Sequence, residues 1–133
     1  MKAIARRVQG YTHEVEVDGH TVVTDEPPEA GGNDEGPSPT RLLTASLAAC
    51  TATTVEMYAD RKGWELGAVE VDVEFHPAPR GETSRFEVDV SIPMPLSGEQ
   101  LERIKTIAGK CPVHRVLTDD VEIEDRVSSS AAS

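Results

Sequence analysis

Apolar and polar residues alternate over most of the first 24 positions, a pattern typical of β-strands with one solvent-exposed face. The alternation includes Ile4 and Val8, resumes over Thr12–Val17 and returns over His20–Thr24. Asp18-Gly19, between the last two segments, is a two-residue hairpin signal. We therefore predict a meander of strands at the N-terminus.

Residues 25–39 interrupt this pattern. They contain the pairs Pro27-Pro28, Gly31-Gly32 and Gly36-Pro37, which break helices and strands. We expect a long loop without regular structure. Long loops in compact domains are often functional, and this one is long enough to reach a partner chain.

Over residues 40–62 the apolar positions recur at three- and four-residue steps, which predicts a long α-helix. Ser38 or Thr40 is suited to cap its N-terminus, and Gly63 to end it. Small residues occur nearly all round the helix at positions 45–52, so we expect this part to be enclosed by neighbouring backbones. The predicted apolar stripe consists of Leu43, Leu47, Cys50, Thr54 and Met57.

Two further segments, residues 69–75 and 86–92, alternate apolar with mostly acidic side chains. A link rich in Pro and Gly at residues 77–81 joins them, so a hairpin with one acidic and one apolar face is predicted. The apolar face must be covered by helices, which indicates an α+β fold.

The remaining sequence predicts two more helices and a short strand. Ser97 and Gln100 fit a capping box, and Pro112 fits the first position of a helix whose N-cap is Cys111. Val121 and Ile123 predict the last strand. We assign residues 1–127 to a single domain and residues 128–133 to a disordered tail.

The net charge of −11 and the pI of about 4.7 disfavour nucleic acids and anionic membranes as partners, because like charges repel. No N-terminal signal pattern is present, and the longest apolar-leaning run, residues 42–52, is about half a membrane span. A cytoplasmic location is therefore expected.

The two cysteines are the candidates for chemistry, since a cysteine pair in a reducing compartment is inert packing, redox-active or metal-binding. A thiol at a helix N-terminus next to Lys110, His114 and Arg115 favours the thiolate, although Cys111 could also be a small packed residue in a turn. Cys50 lies in an apolar stripe, where packing is the common role and burial raises a thiol pKa.

The sequence gives little support for a cofactor. Cys111 and His114 make only half of a typical zinc pattern, so no metal is expected. The glycines of residues 31–36 surround Asp34 and Glu35, which would repel a phosphate, and no Gly-Lys-Ser or Gly-Lys-Thr follows.

Four segments together resemble the signatures of the OsmC/Ohr superfamily over roughly residues 2–125: GGNDEGPSPTRLL (31–43), AACTA (48–52), YADRKGW (58–64) and KCPVHR (110–115). The resemblance implies an intertwined homodimer in which antiparallel sheets wrap central helices and the cysteines meet near the subunit interface. It also implies a cysteine-based peroxidase for organic hydroperoxides or hydrogen peroxide. Cys50 would attack and form a sulfenic acid, Cys111 would resolve it as a disulfide, and an external dithiol would restore both thiols.

The sequence departs from the hydroperoxide-resistance branch of that superfamily, in which an Arg–Glu ion pair activates the first cysteine. Thr40 stands at the Glu position, and Tyr11 or Thr12 at the Arg position. The chain is more similar to the OsmC-like branch, whose GPSP motif it carries. Candidates for the activating charge are Arg41, His114 and Arg115, and Arg6 and Arg7 are the arginines nearest to the original Arg position.

Two other functions remain open. A dimer of this fold could bind a small hydrophobic ligand in an apolar cleft without catalysis, or it could act as a thiol-based redox sensor.

Overall fold

The structure is a computed structural model that describes residues 1–130. The elements in chain order are β1 (Ala3–Gln9), β2 (Thr12–Val17), β3 (His20–Thr24), a 3-10 turn (Pro28–Ala30), α1 (Pro39–Lys62), β4 (Glu70–His76), β5 (Arg85–Ser91), α2 (Gly98–Ala108) and α3 (Pro112–Thr118). Both sheets are antiparallel. The predicted α+β fold is confirmed.

The N-terminal sheet is a meander in the order β1-β2-β3. Val15 of β2 pairs with Ala5 on one side and with Val22 on the other. Asp18 (φ 42°) and Gly19 (φ 88°) form the turn between β2 and β3, and both adopt the positive φ that favours a two-residue hairpin loop. The predicted meander and its turn are therefore confirmed.

The second sheet is the β4–β5 hairpin, as predicted. Val71 lies opposite Val90, and Phe75 lies opposite Phe86, with the two rings stacked at 4.4 Å between centroids. The apolar side chains of β4 are partly buried and its acidic side chains are exposed, since β4 packs against α1. This packing covers the apolar face of the hairpin.

The helices begin within one residue of the predicted positions, and α1 ends at the predicted glycine. The Ser38 hydroxyl accepts the Arg41 N–H at the start of α1, and Gly63 ends the helix with a φ of 70°. Ser97 and Gln100 form the predicted capping box of α2, and Cys111 is the N-cap of α3. In the described part of the chain, no helix has the length and apolar character needed to cross a membrane.

The core lies between α1, α2 and the ends of β4 and β5. Val55 and Ala59 of α1 pack with Leu66 and with Ile104 of α2. Val69 and Ile92, at the ends of the hairpin, pack against this cluster and remain partly exposed. The core therefore holds the middle and C-terminal half of α1 in a fixed position against the hairpin and α2.

The apolar stripe predicted for α1 is only partly correct. Leu47 is buried, but Leu43 is 40% exposed and Met57 is 57% exposed. The buried residues are Leu47, Thr51, Val55, Tyr58 and Ala59. Small and apolar residues of α1 occur on all faces of the helix. The spacing of apolar residues in the sequence therefore does not identify which face is buried. Ala45 and Ala49 are exposed, so within one chain the expected enclosure is present on one side of α1 only.

The loop at residues 25–39 contains the turn at Pro28–Ala30, so the expectation that it has no regular element is wrong. Proline occurs at the start of that turn, where its fixed φ suits a helical conformation. Gly32 is required for close packing, because a Cβ at this position would lie 1.9 Å from the Glu26 carbonyl oxygen. The loop is therefore folded back on itself.

The carboxylate of Asp25, which is 1% exposed, holds this loop together. It accepts the Thr12 hydroxyl at 2.8 Å and the N–H groups of Glu26, Asn33 and Glu35 at 2.7, 3.3 and 3.2 Å. Burial acts to raise the pKa of Asp25, but these hydrogen bonds outweigh it and lower the pKa below its ordinary value.

The strand predicted at Val121 and Ile123 is absent from the structure of residues 1–130. The two side chains are 58% and 81% exposed, and a strand requires a neighbouring backbone for its hydrogen bonds. Residues 128–130 have no helix or strand. Residues 131–133 of the predicted tail lie outside the described residues, and the disorder of that tail stays a prediction.

Candidate active site

The fold brings the two cysteines together. Cys50 lies in the middle of α1, and Cys111 lies at the N-cap of α3, which packs against α1. Both are free thiols, and the two side chains are close enough for each to shift the pKa of the other. The pair is therefore formed by two elements that are far apart in sequence.

The two thiols differ in their access to solvent. Cys111 is 0% exposed, whereas Cys50 is partly exposed. Cys50 lies at the edge of the buried face of α1, next to the exposed row that contains Ala49 and Thr53. A reagent that reaches the pair from outside therefore meets the sulfur of Cys50 first.

Hydrogen-bond donors surround the sulfur of Cys111. The backbone N–H of His114 donates to it at 3.4 Å, and the N–H of Val113, the Thr51 hydroxyl and the Cys50 thiol also interact with it. Burial acts to raise the pKa of Cys111, but the hydrogen bonds, with Cys50 first among them, outweigh it and lower the pKa below the ordinary 9.0.

Burial raises the pKa of Cys50 above 9.0, and the neighbouring sulfur of Cys111 raises it further. The N–H of Val113 and the Thr54 hydroxyl act in the opposite direction without reversing the shift. The surroundings of the pair thus favour the thiolate more at Cys111 than at Cys50. These directions agree with the sequence-based expectations for a buried helix thiol and an N-cap thiol.

The predicted cationic candidates lie in different places. Arg41 is nine positions before Cys50, about 14 Å along the α1 axis, and it lines a cavity with Glu26 and Phe75. The Arg115 side chain is 81% exposed and pairs with Asp119 at 3.8 Å. His114 contributes its backbone N–H to Cys111.

The two N-terminal arginines are engaged within their own sheet. Arg6 forms an ion pair with Glu16 at 3.0 Å, and Arg7 donates to the Gly10 carbonyl at 2.8 Å. The pKa of each thiol is thus set chiefly by burial, backbone N–H groups, threonine hydroxyls and the other thiol.

Sequence reasoning missed the two threonines of the site. Thr51 is 1% exposed and donates to the Leu47 carbonyl at 2.8 Å, while also lying within reach of Cys111. Thr54 interacts with Cys50. Hydroxyl groups one and four positions after a helix cysteine, within a run of apolar and small residues, are the signal that could have identified them.

Two apolar grooves lie next to the pair, and His114 lines both of them. The first, of about 470 Å³, runs between β5 and α2 and includes Thr51, Phe86, Ile92 and Ile104. The second, of about 550 Å³, includes Leu47, Phe75, Val88 and Leu117. Both grooves therefore reach residues that neighbour the cysteines, although neither cysteine lines them.

One group of side chains has the composition of a metal site. The side-chain ligand atoms of Glu74, His76 and Glu87 lie within 4.8 Å of one another on the acidic face of the hairpin. Glu87 is ion-paired with Arg85, and the two glutamates are directly opposite in register. The guanidinium already provides positive charge to this group, so the cluster fits a surface ion-pair network.

The chain matches a known protein family. The model of the family described as OsmC-like protein matches residues 31–125. A comparison with curated protein sequences found no match.

Several solved structures are similar to the chain. A putative osmotic stress induced and detoxification response protein from Psychrobacter arcticus is 19% identical, with 86% of each chain covered and a TM-score of 0.77. An OsmC-like protein from Mycoplasma pneumoniae is 21% identical, with 87% and 84% covered and a TM-score of 0.70. An organic hydroperoxide resistance protein from Legionella pneumophila is 23% identical, with 89% and 90% covered and a TM-score of 0.65.

At these identities the solved structures support the fold, and the family model supports the relationship. The matched segment includes both cysteines and more than half of the chain. The chain therefore belongs to the OsmC-like family.

Proposed function

We propose that this protein is a thiol-dependent peroxidase that reduces organic hydroperoxides or hydrogen peroxide. The carrying observation is the contact between a partly exposed thiol, Cys50, and a fully buried thiol, Cys111. Cys50 attacks the O–O bond and becomes a sulfenic acid, and Cys111 condenses with it to form a disulfide.

The surroundings of the pair support this proposal. A sulfenic acid formed on Cys50 has its resolving partner beside it, because the Cys111 side chain interacts with Cys50. The apolar grooves that His114 lines suit the organic part of a hydroperoxide. The Legionella pneumophila structure carries the name of an organic hydroperoxide resistance protein.

The disulfide must be reduced again for turnover. An external dithiol exchanges with the Cys50 sulfur, because that sulfur is the accessible one of the two. We assign the reaction to the cytoplasm, where cellular reductants keep such thiols reduced.

Anaerobic thiol titration tests this function. One equivalent of cumene hydroperoxide or hydrogen peroxide should remove both thiols per chain, and mass spectrometry should detect a loss of two hydrogens in an intramolecular Cys50–Cys111 disulfide. A protein alkylated beforehand at both cysteines is the control. Persistence of both thiols in excess peroxide would remove the peroxidase function.

We also propose that the active form is an intertwined homodimer. Within one chain, the i, i+4 row of Ala45, Ala49, Thr53 and Met57 on α1 is exposed. Small side chains in such a row allow another helix to approach closely, and Cys50 lies at the edge of the row. A second copy on this face would cover Met57 and form one wall of the entrance to Cys50.

Dissociation and inactivation should then coincide. An obligate interface of this type buries about 2,000 Å² or more, so thermal stability should rise with protein concentration. Gel filtration with light scattering gives the mass, and peroxide consumption is followed over the same dilution series. A folded monomer of 14.3 kDa with undiminished turnover would rule out the shared site.

Binding of a small hydrophobic ligand without catalysis is the second candidate, and the groove of about 470 Å³ between β5 and α2 favours it. Affinity for an alkane or aromatic probe in a Cys50→Ser, Cys111→Ser double variant, together with unreactive wild-type thiols, would support that function. A redox sensor would instead oxidise once and change its binding to a partner.

A further inference from the structure

The backbone and the side chain of His114 have different surroundings. Its N–H donates to the Cys111 sulfur at 3.4 Å, and its carbonyl accepts the Thr118 hydroxyl at 3.0 Å, so both backbone groups are engaged within α3. The residue is half-buried and lines both apolar grooves. In the part of the chain that the structure describes, its imidazole has no hydrogen bond or ion pair. A polar contact therefore does not explain the position of this side chain.

The two grooves meet at His114. Phe86 and Val88 of β5 also line both grooves, so the passage between the grooves lies between these strand residues and His114. On one side of the passage, the groove of about 470 Å³ continues along α2. On the other side, the groove of about 550 Å³ continues between α1 and α3 toward Phe75.

The larger groove lies close to the accessible sulfur. Leu43 and Leu47 line it, and they precede Cys50 by seven and three positions, so the three residues share one side of α1. Side chains of a helix tilt toward its N-terminus, which directs the Cys50 side chain toward the turn that contains Leu47. A hydroperoxide that reacts at Cys50 can therefore place its organic part in this groove, with His114 between it and the second groove.

We propose, on the basis of the peroxidase function above, that the His114 side chain determines which hydroperoxides the site accepts. It closes the passage between the grooves, so the organic part of the substrate is confined to the groove of about 550 Å³. Compact and short-chain hydroperoxides are then good substrates, and long-chain hydroperoxides that need both grooves are poor ones. The thiol chemistry does not depend on this side chain, because the N–H that serves Cys111 belongs to the backbone.

The length of the alkyl chain is the variable that tests this partition. Each methylene that enters an apolar groove strengthens binding, whereas a methylene left in water does not. In wild type, the rate constant of Cys50 oxidation should rise along a series of n-alkyl hydroperoxides and level off once the first groove is filled. With the passage opened, the rise should continue into the longer members of the series.

The experiment measures single-turnover oxidation of Cys50 by n-butyl, n-octyl and n-dodecyl hydroperoxide, with dimedone quenching and mass spectrometry. His114→Ala should react about tenfold faster than wild type with n-dodecyl hydroperoxide and at the wild-type rate with n-butyl hydroperoxide. His114→Phe should keep the wild-type pattern, because it retains a planar ring without a titratable group. Val88→Ala widens the same passage from the hairpin and should change the pattern in the same direction as His114→Ala.

Val116→Ala is the matched control, since Val116 lies on α3, is 57% exposed and lines neither groove. Circular dichroism checks that each variant folds. Wild-type rates for all three hydroperoxides in folded His114→Ala and Val88→Ala, or the His114→Ala pattern in His114→Phe or Val116→Ala, would each overturn the partition. In those cases Cys50 is still oxidised and the peroxidase function stands, whereas a Cys50 that resists all three hydroperoxides in wild type and in every variant would refute the function itself.

Discussion

Asp25 and Cys111 are two buried acids that are held in the same way in different parts of the molecule. Each interacts with a threonine hydroxyl and with backbone N–H groups: Thr12 and three N–H groups for Asp25, and Thr51 and two N–H groups for Cys111. In both cases burial acts against ionisation, and the donors outweigh it and lower the pKa.

Asp25 and Cys111 nevertheless have different roles, because their ordinary pKa values differ and because Cys111 has a further partner, Cys50. The ordinary pKa of Asp25 is 3.8, so a lowered value keeps it charged at all physiological pH values, and its charge holds the loop at residues 25–39. The ordinary pKa of Cys111 is 9.0, so the same donors bring its ionisation closer to neutral pH. Its remaining partner, Cys50, is an accessible thiol. The same hydrogen-bond pattern thus provides an anchor in one region and a reactive pair in the other.

The variants with the largest expected effect test whether the cysteine pair is reactive, in contrast to Asp25, which only holds its loop. Cys50→Ser should reduce peroxide consumption to the uncatalysed level, because the buried Cys111 is then as inaccessible as Asp25. Cys111→Ser should retain one turnover and leave a Cys50 sulfenic acid that dimedone traps, or that over-oxidises. Stoichiometric peroxide with mass spectrometry of each variant measures this.

The reverse pattern, with consumption retained by Cys50→Ser, would mean that the thiol with the lowered pKa is the attacker. Local electrostatics alone suggest that assignment. Access to the sulfur would then have been the wrong criterion for choosing between the two cysteines.

Much of the fold was predictable because local signals agree with one another. The Asp18-Gly19 turn, the Ser97–Gln100 capping box and the Cys111 N-cap are each defined by a few adjacent residues. The buried side of α1 was not predictable, because Leu43 and Met57 match Leu47 in character. Burial there is decided by the hairpin and α2, which are distant in sequence.

The sites around Asp25 and Cys111 were also hard to predict, because their contacts join residues that are distant in sequence. The contact between Cys50 and Cys111 was available only through the family resemblance, since no local spacing connects α1 with α3. The role of Asp25 was missed altogether, because its partners lie at Thr12, Asn33 and Glu35. The pairs of Pro and Gly after Asp25 indicated only that the chain turns there.

The second-largest effect is expected at Asp25 and concerns the dependence of stability on pH. Because the folded-state pKa of Asp25 is lowered, its ionisation contributes stability above pH 3.8, and this contribution is lost as the pH falls through the lowered pKa. Asp25→Asn should lower the melting temperature at pH 7 and flatten the dependence of stability on pH below about pH 4.

Glu26→Gln is the matched control, since Glu26 contributes its backbone N–H and not its carboxylate to the hydrogen bonds of Asp25. Thermal unfolding from pH 2.5 to 7 measures both variants. Equal acid sensitivity of Asp25→Asn and wild type would show that Asp25 is not the group whose protonation loosens the loop.

The smallest effect comes from exchanging the two threonine hydroxyls for methyl groups, and it compares the two regions directly. Thr12→Val leaves the Asp25 carboxylate one donor short and should cost about 1.5 to 3 kcal/mol of folding free energy, with the thiol chemistry unchanged.

Thr51→Val keeps the shape of α1 and removes a donor from Cys111. Losing about 1 kcal/mol of thiolate stabilisation should raise the pKa of Cys111 and slow the formation of the Cys50–Cys111 disulfide about fivefold below that pKa, because the Cys111 thiolate is the form that attacks the sulfenic acid. The single hydroxyl proton of Thr51 is donated to the Leu47 carbonyl in this structure, so it must turn from that carbonyl to serve Cys111. Urea unfolding of both variants separates a change in stability from a change in reactivity. A Thr51→Val protein whose pH profile coincides with that of wild type would mean that the hydroxyl serves only the helix backbone, and that the thiolate of Cys111 depends on the N–H groups of α3 and on Cys50.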